Sequence, residues 1–489
     1  KTKMLRLILA GLFLATTLAF PPLNPDYAFA SPEAVEAWHD MKFGLRIHWG
    51  EYAVDALGPE SWALQGKNLT WMNWYWNQYK TWNPSNFDAT QWIALMNRAG
   101  VKFFDFTTKH HEGFSMYDTN TRVRDCWDLE GDEPTIVACP PDHPYSSMEA
   151  FGRDIVAELI AAAREGGVKP GLYFSHIDWY DPDMRIDIWN AVGVKDCVGQ
   201  PCDPALYNKT SFPTEWSRFV LRHRAQMIEV LTKYGEIVEL SLDMGFPDSF
   251  DQDMLDTIML ARSVAPNTLF RGRGIGGRKE DGGYGDYNTP EEVFPTAPLP
   301  GNWQVIYHGS NFMSFDPNPA DYVNGSFIVW HLVDIVAKGG LMQIGYGPDR
   351  NGDFHPLAVA ALEYAGKWLD TNGESIYSTR PLTNRWNDTA TPTARFTRPK
   401  DDNTTIYATD LSMNGPMPSS ISLACVSVKK DGAVSLLGYI DDNTREAIPL
   451  SFSDDGTHLN ITVPAAAATA GLLGPGYVFK LHGASERKC

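Results

Sequence analysis

The sequence has few cysteines, few basic residues and only one long apolar run. Six cysteines occur in 489 residues, without a Cys-x-x-Cys pair or a cluster at zinc spacing, so structural disulfide bonds are the better interpretation. Proximity in the sequence favours the pairs Cys126–Cys139 and Cys197–Cys202, which leaves Cys425–Cys489. The 41 Lys and Arg residues are outnumbered by 60 Asp and Glu, and the formal net charge is -19. This charge argues against nucleic acid and against anionic membranes as partners.

The one long apolar run lies near the start of the chain. Basic residues precede Leu7–Phe20, and Ala28-Phe29-Ala30 then gives a small-x-small cleavage pattern. This arrangement is typical of a secretory signal peptide, which we place at residues 1–30. About 14 apolar residues are too few to span a bilayer comfortably, and the lack of a second run of ~18 predicts a soluble, secreted, extracellular protein. Glycosylation sequons, which fit this prediction, start at Asn68, Asn208, Asn324, Asn387, Asn403 and Asn460.

Aromatic residues are abundant, with 16 Trp, 20 Tyr and 24 Phe. Most large aromatic side chains fill protein cores. Their flat apolar faces also form platforms on which sugar rings stack, so the excess points weakly to a carbohydrate partner.

Short apolar segments alternate with amphipathic ones from about residue 40 to residue 375, which predicts a parallel α/β sheet. A doubly wound sheet and a (β/α) barrel both fit this alternation. The length, and the polar residues at the strand ends, favour a distorted (β/α) TIM-like barrel over residues 31–375. The predicted strands are Lys42–Trp49, Val101–Thr108, Lys169–His176, Ile237–Asp243, Thr268–Arg273 and Leu341–Gly345. The predicted helices are Ala89–Ala99, Ser147–Arg164, Thr214–Tyr234, Asp251–Val264 and Gly325–Lys338.

The sequence pattern changes after about residue 376. Short strand-like segments with Asp, Asn and Gly turns between them predict an all-β sandwich domain over residues 376–489. Nothing in this region indicates a chemical role, and the sequence assigns no oligomeric state.

Polar side chains follow three of the predicted barrel strands. KFGLRIHWG carries His48, TTKHHEGF carries His110 and His111, and IVELSLDMG carries Asp243. The ends of barrel strands are where catalytic residues are found. Two adjacent histidines point in different directions, which disfavours a metal site and favours a pair that binds hydroxyl groups.

A second carboxylate is needed if the chemistry is the cleavage of a glycosidic bond, which uses a nucleophile and a general acid/base. Glu291 or Glu292, in the GDYNTPEE stretch of a long loop, could supply it. The segment Gly272–Gly277 satisfies the G-x-G-x-x-G pattern of nucleotide-binding sites. It follows the fifth predicted strand and precedes no apolar helix, so we predict no nucleotide and no other cofactor.

Taken together, these motifs resemble the retaining α-L-fucosidases of glycoside hydrolase family 29. The resemblance runs in order over most of residues 38–380, through KFGLRIHWG, TTKHHEGF, GLYFSHIDW, LSLDMG, LVDIVAKGG and GKWLDTNGESIY. It implies a distorted barrel followed by a β-sandwich, and an enzyme that releases terminal α-L-fucose from fucosylated oligosaccharides or glycans. Asp243 would be the nucleophile, and Glu291 the acid/base with Glu292 as its close alternative.

The resemblance also implies the sugar-binding residues. His48, His110, His111 and Arg273 match positions that bind fucose hydroxyls, Trp74 looks like a sugar-contacting tryptophan, and Phe312 is a candidate wall for the fucose methyl group. The mechanism requires an ionised Asp243 and an acid/base whose pKa is raised.

The chain departs from the family pattern at several positions. Asn73, Ser241 and Gln304 stand where the family often has Glu, Trp and Glu, and Leu341 and Gly345 replace two common asparagines. Because these positions surround the substrate, two alternatives stay open. One is a glycosidase for another sugar on the same scaffold, and the other is an inactive, lectin-like protein that binds fucose.

Overall fold

A computed structural model of the chain describes residues 23–64, 67, 69–128, 135–140, 143–184, 196–197, 200–201, 213–246, 252–412 and 417–489. Several sequence predictions lie wholly or partly outside these residues: the apolar run Leu7–Phe20, the sequons at Asn68 and Asn208, the start of the helix at Asp251, and the Cys197–Cys202 pair through Cys202.

Parallel strands form the main sheet. The strands in the first part of the chain are β1 (Phe43–Ile47), β2 (Phe103–Lys109), β3 (Asp125–Asp128), β4 (Thr135–Ala138), β5 (Lys169–Ser175), β6 (Asp196–Cys197), β7 (Gln200–Pro201), β8 (Glu239–Asp243), β9 (Leu269–Phe270), β10 (Gln304–His308) and β11 (Leu341–Gly345). Seven of them pair in parallel in the order β10-β11-β1-β2-β5-β8-β9, and β3-β4 and β6-β7 are separate hairpins. The register places Ser175 opposite Asp243.

Helices connect these strands. They are α1 (Pro32–Met41), α2 (Leu69–Tyr75), α3 (Ala89–Arg98), α4 (Ser147–Phe151), α5 (Ile155–Gly166), α6 (Pro213–Thr232), α7 (Gln252–Val264), α8 (Gly325–Ala337) and α9 (Pro356–Asn372). Short 3-10 turns lie at Glu51–Ala53, Glu60–Leu64, Gln78–Thr81, Lys279–Asp281, Pro319–Asp321 and Gly373–Ser375.

Local sequence signals explain the helix ends. The Asp88 side chain accepts hydrogen bonds from the backbone N–H groups of Thr90 and Gln91, and so caps the start of α3. Gly152, at a φ of 71°, ends α4 in the left-handed conformation that glycine adopts readily. The predicted helix Ser147–Arg164 is therefore two helices.

The strands β1 and β2 are buried along their whole length, as expected for a parallel sheet with helices packed against it. This sheet and its helices confirm the predicted barrel, in the form of a curled, incomplete one. The sequence predictions did not include β10, α1 or α9, and the predicted strand Thr268–Arg273 shortens to β9.

Antiparallel sheets follow the barrel. Their strands are β12 (Thr379–Pro381), β13 (Ala394–Pro399), β14 (Thr405–Asp410), β15 (Ser420–Leu423), β16 (Val426–Ile440), β17 (Ala447–Pro449), β18 (Ser451–Asp454), β19 (Leu459–Thr462) and β20 (Tyr477–Glu486), with one short helix, α10 (Ala465–Ala468). Six strands pair as β12-β13-β14-β20-β16-β17 and three as β15-β19-β18. Their inner faces enclose a separate apolar core that includes Phe396, Leu423 and Phe479.

Two of the three predicted disulfide bonds are confirmed. Cys126–Cys139 links the β3-β4 hairpin, and Cys425–Cys489 ties the end of the chain to the β domain. Within the described ranges, every helix is too short or too polar to cross a bilayer.

Residues just before α1 pack against the barrel. The Tyr27 hydroxyl donates to the carbonyl oxygen of Tyr284 at 2.7 Å, and the Ala30 N–H donates to Asp286 Oδ1 at 2.8 Å. The segment therefore occupies the side of the barrel that carries the loop after β9.

Candidate active site

One face of the barrel gathers the polar residues that follow its strands. His48 follows β1, His110 and His111 follow β2, Asp243 ends β8 and His308 ends β10. The carboxyl ends of parallel strands meet at one face, so these side chains surround a common space. The cavity has a volume of about 640 Å³ and is lined by His48, Pro59, Glu60, Trp62, His110, Asp243, Met244, Gly245, Arg273, Glu291, Glu292, His308, Phe312 and Met313. His111 lies beside this lining, with its Nε2 3.9 Å from Asp243 Oδ2.

Asp243 is buried and its carboxylate is held by three hydrogen bonds. Tyr173 donates its hydroxyl to Oδ2 at 2.7 Å, while Arg273 Nη1 and the Met244 N–H donate to Oδ1 at 2.6 and 2.9 Å. Burial would raise the pKa of Asp243, but Arg271, His111 and Arg273 together hold it well below its ordinary value. Asp243 is therefore an anion across the physiological pH range, as a nucleophile must be.

Glu291 is joined to Asp243 through one nitrogen atom. Arg273 Nη1 lies 2.6 Å from Asp243 Oδ1 and 2.8 Å from Glu291 Oε2. The distance between Asp243 Oδ1 and Glu291 Oε2 cannot exceed the sum of these two contacts. This upper limit excludes the roughly 6.5–9.5 Å between the carboxyl groups of inverting glycosidases and agrees with the roughly 5–5.5 Å of retaining ones.

The charges around Glu291 differ from the expectation for a resting general acid. Burial and the charge of Asp243 both raise the pKa of Glu291. Arg271 and Arg273 lower it by more, so the pKa lies below its ordinary value. Arg271 Nη2 is 3.2 Å from Glu291 Oε2, and its side chain is almost fully buried. The raised pKa expected for the acid/base is thus absent in the free protein because two guanidinium groups face the carboxylate.

Glu292 points towards the mouth of the cavity. Its side chain is 57% exposed, and its Oε1 lies 3.0 Å from His308 Nε2. Both Glu292 and Met244, the residues that follow Glu291 and Asp243, adopt left-handed backbone conformations at φ values of 58° and 59°. Such conformations are strained in residues other than glycine and are concentrated at functional sites. The geometry places Glu291, and not Glu292, beside Asp243.

The three histidines predicted from the sequence are neutral. Burial lowers the pKa of His48 and His110 well below the ordinary value and that of His111 to about 4. Each has one ring nitrogen bound inside the protein: His48 Nε2 to Arg46 Nε at 3.0 Å, His110 Nδ1 to Ser61 Oγ at 2.5 Å, and His111 Nδ1 to Ser175 Oγ at 2.8 Å. Neutral imidazoles held in this way are suited to hydrogen bonds with hydroxyl groups.

His110, His111 and Asp243 also each place one potential ligand atom within 4.8 Å of the others, which is close enough for a metal ion. A cation there would lie beside Arg273 and Arg271, whose charges oppose it. The donor set therefore fits sugar hydroxyls better than it fits a metal.

The apolar wall of the cavity differs in part from the sequence prediction. Phe312 lines the cavity and packs against Gly58, where a Cβ atom would come within 3.1 Å of the ring. Trp74 lies on α2 with 40% of its surface exposed, and it is not among the described residues that line the cavity. Trp62 lines it instead, with its ring 5.0 Å from that of His111.

The floor beneath the cavity accounts for one departure from the family pattern. Arg46 fills the space beside Ser241, and its Nη1 donates to Ser241 Oγ at 2.7 Å and to Asp105 Oδ2 at 2.8 Å. The same guanidinium lies over the ring of Tyr173 at 4.7 Å. A small residue at position 241 therefore makes room for a buried cation.

Sequence reasoning missed several residues of this site. Glu60 is a buried carboxyl group that accepts the Ser314 N–H at 2.7 Å, and burial raises its pKa to about 7. Trp62, Tyr173, Arg271 and His308 were also missed. A signal existed for Arg271, because residues two apart on an extended segment point the same way and Arg273 was already a candidate. Glu60 and Trp62 lie in a 3-10 turn, which gives no periodic signal.

Paired acidic side chains at the mouth of a (β/α) barrel, with neutral histidines and aromatic walls around them, define the class of the protein as a glycoside hydrolase. A family model described as alpha-L-fucosidase matches residues 22–374. The chain belongs to the alpha-L-fucosidase family.

Known proteins of similar sequence and structure are alpha-L-fucosidases. The chain is 27% identical over 434 residues to the plasma alpha-L-fucosidase of Rattus norvegicus. The matched region covers 82% of each of the two chains. Its structure resembles the Thermotoga maritima alpha-fucosidase in complex with fucose (TM-score 0.67, 21% identity, 93% of this chain and 97% of that one). It also resembles a trapped covalent intermediate of a Bacteroides thetaiotaomicron alpha-L-fucosidase (TM-score 0.70, 20% identity, 96% and 100%). These similarities confirm the fold and the predicted family.

Proposed function

We propose that the protein is a secreted exo-glycosidase that releases terminal α-L-fucose from glycans with retention of configuration. The observation that carries this proposal is the single Arg273 nitrogen that contacts both Asp243 and Glu291. Carboxyl groups held this close leave no room for a water molecule between the second carboxylate and the sugar, which inversion would need.

The first chemical step forms a covalent intermediate. A carboxylate oxygen of Asp243 attacks the anomeric carbon of fucose, and the bond from that carbon to the glycosidic oxygen breaks. Glu291, in its protonated form, gives its proton to the departing oxygen, so that the rest of the glycan leaves as an alcohol.

The second step restores the enzyme. Glu291, now ionised, removes a proton from a water molecule whose oxygen bonds to the anomeric carbon. The ester bond to Asp243 breaks and its electron pair returns to the carboxylate. Two inversions at the same carbon give net retention.

The walls of the cavity suit a deoxy sugar. His48 and His110 in the lining, and His111 beside Asp243, offer neutral ring nitrogens to hydroxyl groups, while Trp62 and Phe312 offer apolar surface to a methyl group. The Thermotoga maritima alpha-fucosidase in complex with fucose and the trapped covalent intermediate of the Bacteroides thetaiotaomicron enzyme support the same sugar and the same mechanism. The apolar run Leu7–Phe20 supports secretion.

Substitutions of the carboxylates test the roles. Asp243→Ala should give a folded protein without activity on an aryl α-L-fucoside, and added azide should restore turnover and yield fucosyl azide of inverted configuration. Glu291→Ala should lose activity severely on poor leaving groups and only mildly on activated ones, since activated groups need no proton.

Glu292→Ala is the matched control, because Glu292 is the next residue and carries the same carboxylate at the mouth of the cavity. It should not show this dependence on the leaving group. Near-normal hydrolysis by Asp243→Ala would refute the nucleophile. A panel of aryl glycosides tests the sugar, and faster hydrolysis of a galactoside than of the fucoside would contradict the proposed substrate.

A further inference from the structure

Different groups support the two adjacent histidines, His110 in the cavity lining and His111 beside it. His110 Nδ1 meets Ser61 Oγ, and Ser61 in turn donates to Glu112 Oε2 while accepting the Glu112 N–H at 3.1 Å. His111 Nδ1 meets Ser175 Oγ, and Ser175 donates to the carbonyl oxygen of Ile177 at 2.9 Å. One serine is therefore backed by a titratable carboxyl group and the other by a backbone carbonyl, which never carries a proton.

The carbonyl fixes the tautomer of His111. Because the Ser175 hydroxyl gives its only proton to Ile177, its oxygen can only accept from His111 Nδ1–H. The Nε2 atom of His111 is then an acceptor that lies 3.9 Å from Asp243 Oδ2.

His110 can adopt either of two tautomers, depending on whether the Glu112 carboxyl group is ionised or protonated. When Glu112 is ionised, the proton of Ser61 goes to Glu112, His110 Nδ1–H donates to Ser61, and Nε2 is an acceptor. When Glu112 is protonated, Glu112 donates to Ser61, Ser61 donates to His110 Nδ1, and Nε2 carries the proton. The serine passes the protonation state of a buried carboxyl group to the histidine.

We infer that Glu112 and Ser61 are positioning residues that set the tautomer of His110, so that a protonated Glu112 makes His110 Nε2–H a donor to a sugar hydroxyl. This inference deepens the proposed function and rests on it for the identity of the ligand. The chain Glu112–Ser61–His110 is buried throughout, with all three residues at or below 3% exposure.

A donor at His110 complements the acceptor at His111. The two rings lie 4.0 Å apart between centroids, close enough for one sugar hydroxyl to reach both. A hydroxyl has a single proton. If it gives that proton to His111 Nε2, it has only lone pairs left for His110, and the second hydrogen bond forms only when His110 Nε2 is protonated.

The surroundings of Glu112 keep it protonated at neutral pH. The titratable groups that face it or sense its charge are Lys109, Asp178, His110, Tyr52, Tyr75 and Glu51. Lys109 is paired with Asp178 at 3.3 Å, which reduces its effect on Glu112. Burial raises the pKa of Glu112 to about 8, although Ser61 and the Glu112 N–H lower it. Below that pH, His110 is therefore a donor.

The experiment reads the tautomer directly. In protein labelled with ¹⁵N in its histidine rings, the His110 signals, assigned by comparison with His110→Phe, are followed from about pH 6 to about pH 10. In the wild type, the protonated nitrogen should change from Nε2 to Nδ1 as the pH rises through about 8. Glu112→Gln, whose amide donates at every pH, should keep Nε2–H throughout.

Two serine substitutions complete the test. Ser61→Ala should abolish the change at His110, and Ser61→Thr, which keeps the hydroxyl, should retain it. Ser175→Ala is the matched control, because it removes the equivalent hydroxyl from His111 and should leave the change at His110 in place. A His110 tautomer that is constant in the wild type, or that still changes in Glu112→Gln or Ser61→Ala, would overturn the inference.

Binding of L-fucose gives a second readout. The dissociation constant of the wild type should rise about tenfold above the pH of the tautomer change, the equivalent of one neutral hydrogen bond of about 1.4 kcal/mol, and Glu112→Gln should not show this rise. A protein that shows the tautomer change but does not hydrolyse an aryl fucoside would refute the proposed function and leave the relay intact.

Discussion

Tyr173→Phe removes one oxygen atom from the active site and little else. The Tyr173 hydroxyl donates to Asp243 Oδ2 at 2.7 Å. Its ring stacks on that of His110 at 5.4 Å and lies under the Arg46 guanidinium, and phenylalanine keeps both contacts. The substitution therefore isolates a single hydrogen bond to the proposed nucleophile.

The magnitude follows from the charge of the acceptor. A hydrogen bond to a buried ionised group contributes about 1.5–3 kcal/mol, which corresponds to roughly 10- to 150-fold in rate. The bond is strong to the carboxylate and weak to the ester, because the ester carries no charge. Its loss should therefore slow the second step, in which the carboxylate is restored, and should not slow the first.

The assay is stopped-flow hydrolysis of an aryl fucoside with a good leaving group. We expect kcat to fall by about 10- to 150-fold and KM to fall with it, because the covalent intermediate accumulates. A burst of aryl alcohol should precede the steady state, and kcat/KM should change little.

Tyr287→Phe is the control for this substitution. Tyr287 is fully buried, and within the described part of the chain its hydroxyl has no hydrogen-bond partner. The kcat and KM of the Tyr287→Phe enzyme should match those of the wild type. A Tyr173→Phe enzyme whose kcat/KM falls as steeply as kcat, without a burst, would refute the assignment of this hydrogen bond to the second step.

Two further predictions concern pH and the apolar wall. The pKa values of Asp243 and Glu291 both lie below their ordinary values, and Arg271 is the strongest cation acting on each, so activity that needs an ionised Asp243 and a protonated Glu291 should be confined to acidic pH. Arg271→Met destabilises both ionised forms and raises both pKa values, so both limbs of the pH profile of kcat/KM should move to higher pH; a shift of one limb alone would contradict the shared contact. Trp62→Ala should raise KM for an aryl fucoside by about 5- to 150-fold, from the loss of about 1–3 kcal/mol of apolar contact. Trp74→Ala should leave KM unchanged. A larger rise in KM for Trp74→Ala than for Trp62→Ala would show that Trp74, and not Trp62, contacts the sugar.

The sequence was sufficient to predict the barrel, the antiparallel domain and the residues at strand ends. Asp243 and His110 could be found because an apolar strand that stops at a polar residue is a local pattern. The strand β10 was missed, since its end residues Gln304 and His308 are polar and leave only three apolar residues between them.

Residues that depend on distant contacts could not be predicted. Arg46 needs Asp105 and Ser241 from two other strands to be buried as a cation, and only the packed sheet shows that they meet. The same holds for Ser61, whose partners Glu112 and His110 lie about fifty positions further along the chain. Trp74 fits the family motif in the sequence, whereas Trp62, twelve positions earlier, lines the cavity.

The Arg273 nitrogen shared by two carboxylates has a consequence for the timing of turnover. In the free enzyme the guanidinium faces two anions, and the charge of Asp243 pushes the proton affinity of Glu291 upwards. Once Asp243 is esterified, that charge is gone and Arg273 acts on Glu291 alone. Glu291 then holds its proton less tightly, as a base must, and recovers its affinity when the ester breaks. The proton affinity of the acid/base thus alternates in step with the chemistry, without movement of the backbone.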